Sequence, residues 1–185
     1  MASGAIEVHR IQLRLRELGQ LFNSMDPTPF HHKDLDPDAE AFIESWALEF
    51  PADSQFEITI HLEDGRKQDN PDELVSEALH NFFNYKAELV RRELRQLLSQ
   101  GRMSLMIGVS FLALCLFAAD GLARVAPGPP LSILRESLTI GGWVAMWKPM
   151  QIFLYDWWPL RRKLLICRRL GRAHVRVLLD SKAHA

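Results

Sequence analysis

Lys148 is the residue in this chain whose type and setting could carry chemistry. It stands in an apolar stretch, Ser137 to Trp158, with Pro149 beside it. A lysine ammonium at the centre of a bilayer costs about 2.5–3.5 kcal/mol on insertion scales, so it must reach headgroups or find a partner. Pro149 lacks a backbone N–H and frees a carbonyl one turn earlier, near Ala145. Gln151 and Tyr155 follow on the same helical face, and Ser110 is the one hydroxyl near that depth in the preceding apolar run. Lys148, Gln151, Ser110 and Tyr155 are therefore the expected intramembrane polar site, with Pro149 as a helix kink. Such a stripe could snorkel to the headgroups, seat a polar group of a partner helix, or line a path for an anion or proton. The first apolar run holds no Asp or Glu, so a charge partner for Lys148 must come from another chain.

A second cluster lies between Asp26 and Glu40. His31, His32 and Asp34 are its candidate metal ligands, since a hard cation or zinc takes such donors. No His-x3-His or Cys-x2-Cys spacing accompanies them, and capping explains much of the acid content, so no metal is expected. Cys115 and Cys167 are too few and too far apart for a disulfide framework and read as free thiols. Nothing in the chain has the form of a phosphate loop, a nucleophile elbow or a dinucleotide fingerprint. Neither an enzyme nor a cofactor is expected.

The elements that would position Lys148 are two membrane spans. Met103 to Ala119 is a 17-residue uncharged run, about 25 Å as a helix and close to one hydrocarbon core. The predicted organisation is a cytoplasmic domain over 1–70, a connecting helix over 71–102 and a first span over 103–125. A short outer loop over 126–136, a second span with a Lys-Pro kink over 137–158 and a basic tail helix over 159–185 complete it. A competing geometry places the second span at Leu131–Trp147, with residues 148–160 along the inner surface. Small residues recur at i, i+4 in both spans, Ser104/Gly108 and Gly141/Ala145, and permit close helix approach. In an antiparallel hairpin these pairs are expected to face other helices. Tyr155, Trp157 and Trp158 suit an interfacial belt, with Arg161 and Arg162 as anchors beyond it.

The amino-terminal part reads as β-α-β-α. Ile11, Leu13 and Leu15 alternate with polar residues in a strand over 10–16 that gives way to a helical turn near Glu17. Asp36-Pro37 starts a helix running to Phe50, with Phe42, Ile43, Trp46, Ala47 and Phe50 on one face. Phe56, Ile58, Ile60 and Leu62 form the clearest strand. Asn70-Pro71 opens the long helix, on which Phe83, Ala87, Val90, Leu94 and Leu97 make a packing seam. Two strands alone are marginal in water, so either a strand from Ile6 to Val8 or a neighbouring subunit must complete the sheet.

Charge fixes the orientation. Residues 1–70 hold 6 basic against 14 acidic side chains, and residues 71–185 hold 16 against 9. Basic residues cluster before the first span and after the second, while the connecting loop has only Arg124 and Arg135. The positive-inside rule puts both termini in the cytoplasm. With no apolar leader in the first 20 residues, a bacterial inner membrane is the expected location. In layout the chain resembles a subunit of the mitochondrial calcium uniporter family. That family opens its second span on Trp-Asp-x-x-Glu-Pro, whereas Ile133 to Trp143 holds Glu136 alone, so its activity is not carried over.

The expected partners are the lipid bilayer, a second copy or another membrane protein, and anionic headgroups met by the basic tail. Nucleic acid is not among them. The expected function is that of an integral membrane accessory, scaffold or assembly protein, and an oligomeric one, because contact with another chain is the simplest use of an unpaired Lys148 and a minimal sheet. A pore-forming homo-oligomer with Lys148 facing inward, and a membrane-tethered ligand or cation sensor, are the competing readings.

Overall fold

The computed structural model describes residues 8–23, 34–51, 54–63, 71–125 and 129–179. They fall into two units, residues 1–90 with 162–185, and residues 91–161.

In the first unit, period-two alternation produces β1 (Val8–Leu15) and β2 (Gln55–Leu62). Ile11, Leu13, Phe56, Ile58, Ile60 and Leu62 lie on one face and are buried. After β1 the chain makes a short 3-10 turn, Leu18–Leu21. Helix α1 (Pro37–Glu49) starts where its cap chemistry places it. The Asp36 carboxylate accepts the Asp38 N–H at 3.0 Å, and Pro37 occupies a position that needs no donor. Ile43 and Ala47 are buried, but Phe42 and Trp46 are 40% and 42% exposed. The core-facing stripe of α1 is thus narrower than its apolar content implies, and the two exposed rings rest on each other at 6.0 Å.

The sheet takes its third strand from the tail, where a helix was expected. The tail is not helical throughout: β3 (His174–Leu179) pairs parallel with β2, giving the order β1-β2-β3. Ile58 sits between Ile11 and Val175, and Ile60 between Leu13 and Val177. The third strand thus comes from the tail, and Val8 of the expected Ile6–Val8 strand is the first residue of β1. The amino-terminal residues before Val8 lie outside the described residues. Asp72 blunts the free edge of β3 by accepting the Val177 N–H at 2.6 Å.

Polar contacts tie the three strands and the helices behind them. On the open face of the sheet, Arg10 Nε meets one oxygen of Glu57 at 2.8 Å and Arg176 Nε the other at 3.2 Å. The Arg10 hydrogen bond holds the Glu57 carboxyl below its ordinary value, against the opposing effect of burial and with Arg176 adding to it. On the helix side, Lys86 pairs with Glu40 and with Glu44, and Lys163 approaches Glu44 at 3.7 Å. Burial opposes the charge on Lys86, but the two carboxylates outweigh it and keep its ammonium above the ordinary lysine value.

The remaining elements are helical. Helix α2 (Pro71–Val125) has 55 residues and continues unbroken through Gly101, where the connecting helix and the first span were expected to meet. Helix α3 (Pro129–Ala145) begins inside the expected outer loop. The Pro129-Pro130 pair falls in that loop, yet proline suits a first helical turn, where its missing N–H costs nothing. The expected second span does not run as one regular helix. It breaks at Met146 and resumes as α4 (Trp147–Gln151), a π-helical turn (Ile152–Asp156) and α5 (Trp157–Leu170).

Two outcomes follow for the first unit. In a helix Val175 and Leu178 would share a face, whereas in β3 they point oppositely. Val175→Lys should therefore lower urea-unfolding stability by about 3 kcal/mol or more, while Leu178→Lys stays within about 0.5 kcal/mol. Equal effects would remove the strand. For Glu57, whose folded value is depressed, the stabilisation is present above 4.5 and is lost as pH falls through the lower folded value. Glu57→Gln should flatten the acid limb of a plot of urea midpoint against pH.

Candidate functional site: an apolar helical hairpin

The second unit brings the middle of the chain back on itself. Three glycines set its register. A β-carbon on Gly101 would stand 2.8 Å from Ile152 Cγ2, one on Gly108 would stand 3.1 Å from the Ala145 carbonyl oxygen, and one on Gly142 would stand 2.8 Å from Leu112 Cδ1. The later segment therefore runs antiparallel to α2. Gly108 and Ala145, expected to face other helices, meet each other. Gly141 is exposed with nothing within 4 Å of where its β-carbon would be, and Ser104 is half-buried.

Pro149 explains the break. It offers no N–H to the Ala145 carbonyl, and the chain answers with a Met146 N–H to Trp143 carbonyl bond of 3.0 Å before the helix restarts. The freed carbonyl points at Gly108, the one residue type that lets another backbone so close. Beyond α4 the π-helical turn leaves the Phe153 carbonyl to be met by the Trp157 indole N–H at 2.8 Å. Trp157 also lies under the Arg161 guanidinium, 5.5 Å from its ring centre, and edge-on to Trp158 at 5.9 Å.

The outward surface of this unit is apolar. Met106, Ile107, Leu114 and Phe117 of α2, with Ile140 and Trp147 from the returning segment, are all more than 60% exposed. An exposed apolar belt of this extent is foreign to a water-facing monomer. Helix α2 is long and apolar enough to cross a membrane.

The expected polar site is not assembled. Lys148, Gln151, Ser110 and Tyr155 are all exposed, and no described residue pairs with Lys148. Ser110 lies on the opposite side of the Gly108–Ala145 contact from Lys148, toward the hairpin tip. Lys148 falls between that contact and the Gly101–Ile152 contact, near the open end. Arg162, expected as an anchor, makes contacts within the first unit. Its guanidinium donates to the Leu48 carbonyl at 2.6 Å and the Phe50 carbonyl at 3.3 Å, closing the end of α1, which has no basic residue in its last turn. His31 and His32 lie outside the described residues. Among the described residues no group of three or more His, Cys, Asp or Glu is placed to hold a metal ion. Burial, with the nearby Glu44 adding to it, pushes the Cys167 thiol up to about 11, so it is a poor nucleophile.

The Arg162 cap was hidden because its acceptors lie more than 100 residues earlier in the chain. No family model, curated protein or solved structure matches the chain.

The register makes a pointed prediction. Gly108→Val drives a branched side chain into the Ala145 backbone and should cost about 1–3 kcal/mol, read as a lower melting temperature in mild detergent. Gly141→Val, on the open side, should melt close to wild type. The reverse order would refute the pairing.

Proposed function

We propose that this protein is an integral membrane accessory or assembly protein, anchored by a two-span helical hairpin that carries a cytoplasmic α/β domain. The observation that supports it most is the closure of one sheet around an apolar excursion. β2 precedes α2 and β3 follows α5, yet the two strands are hydrogen-bonded neighbours. Chain that leaves one side of a bilayer along α2 must return to the same side before β3 can pair. Helix α3, 17 residues and about 25 Å long, supplies the return.

Charge supports the orientation. Arg91, Arg92, Arg95 and Arg102 precede the apolar run and Arg161 follows the return, whereas the far end offers Arg135 and an Arg124 already paired with Asp120 at 2.5 Å. The positive-inside rule then favours a cytoplasmic domain. Lys148 lies roughly level with Met106, about 6 Å inside Arg102 at 1.5 Å per residue, so its ammonium can snorkel to the headgroups. That depth favours an anchor over a pore. The exposed Gly141 and Val144 side of α3 is where another membrane helix, from a second copy or a partner, would pack.

Carbonate washing should leave the protein in the membrane fraction. A membrane-impermeant maleimide applied to intact cells should label Gly121→Cys and spare Gln12→Cys and Leu178→Cys. Release by carbonate, or labelling that puts residues 12 and 178 on opposite sides, sinks the anchor. A lone monomer at every concentration in mild detergent, with nothing co-purifying, sinks the assembly role.

A further inference from the structure

The soluble unit holds a cleft at the amino ends of its three strands, with a volume of about 680 Å³ and a lining that includes Val8, Phe56, Glu57, Arg169, Arg172 and His174. That volume lies within the range of small-molecule sites. Among the described residues its charge is unbalanced. Arg169 is fixed at the rim, because its Nη1 donates to the Ser54 carbonyl at 2.8 Å. Arg172 is exposed, its backbone N–H is bonded to the Arg169 carbonyl at 3.0 Å, and no described carboxylate pairs with its guanidinium. Glu57 does not neutralise them, since Arg10 and Arg176 occupy its two oxygens. Among the described residues, two guanidinium groups therefore border a cleft whose single carboxylate is already matched.

We propose that this cleft binds the phosphate group of a small ligand, with Arg172 and the remaining N–H groups of Arg169 as donors. A planar guanidinium matches phosphate oxygens in pairs, which an ammonium cannot do. Val8 and Phe56 give the cleft an apolar side for the rest of the ligand. Two sources share this chemistry, a soluble phosphorylated compound and a phospholipid headgroup. The inference does not rest on the membrane reading, because every residue in it belongs to the soluble unit.

The test uses the full chain in mild non-ionic detergent, titrated with inorganic pyrophosphate and, separately, with short-chain phosphatidylglycerol, phosphatidylcholine being the neutral control. The readout is the unfolding temperature. Wild type and Arg14→Gln, an exposed arginine away from the cleft, should respond alike, whereas Arg172→Gln should bind the active probe roughly tenfold more weakly. A response to pyrophosphate assigns the site to a soluble ligand, and one to phosphatidylglycerol alone assigns it to a headgroup. The proposal is overturned if neither probe shifts wild type, or if Arg172→Gln responds like Arg14→Gln.

Discussion

The parallel pairing of β3 with β2 is the constraint on which the rest of the molecule depends. It brings Val175 beside Ile58 and Val177 beside Ile60, joining segments separated by the whole of α2 and α3. Without it β2 would have one neighbour, and a two-stranded sheet is marginal in water. Joining residues so far apart in sequence carries a loop-closure cost that grows slowly with length, but it slows folding, because non-local contacts form late. The sheet of the first unit is complete only once the chain has come back from α2 through α5.

The returning segment is then held at almost every step. Arg162 meets the Leu48 and Phe50 carbonyls, Lys163 meets Glu44, Arg169 meets the Ser54 carbonyl, and Arg176 meets Glu57. His80 Nε2 donates to the Ala173 carbonyl at 2.8 Å. The close approach of Gly171 to Asn84, where a β-carbon would be 2.6 Å from the amide oxygen, marks the same docking. A run of arginines beside a membrane segment invites a reading as topology signal or headgroup contact. Here several of them secure one end of the chain to the other. Exposed ion pairs contribute little singly. Lys86 and Glu44 are different, with side chains 13% and 14% exposed, and removing one partner of such a pair leaves a poorly solvated charge.

What the sequence made legible was local. Asp36-Pro37 announced α1, alternation announced β1 and β2, and the uncharged run announced the apolar part of α2, because each signal is written within a few neighbouring residues. What it concealed was set by distant contacts. Val175, Val177 and Leu179 alternate as a strand should, but the six-residue element follows a helix rich in Leu and Arg and was absorbed into it. The hairpin register was equally hidden, since the meeting of Gly108 with Ala145 depends on how the chain turns at its tip. Phe42 and Trp46 looked like core because they are large and apolar. Burial on α1 instead follows the narrower stripe of Ile43 and Ala47.

The backbone irregularities of the hairpin bear on anchor against conduit. Non-helical backbone at membrane depth is tolerated where protein covers it or where it lines water. Pro149 leaves the Ala145 carbonyl free, that carbonyl lies against Gly108, and Pro149 itself is buried. The irregularity is thus covered within the hairpin. A conduit also needs polar groups continued through the hydrocarbon depth. From Leu105 to Phe117 the exposed positions of α2 are almost entirely apolar. Ser110 and Lys148 stand on opposite sides of the Gly108–Ala145 contact, and Lys148 sits near the open end. On the membrane reading proposed above, a cation in that place needs no channel to justify it, because its own side chain can span the distance to the headgroups.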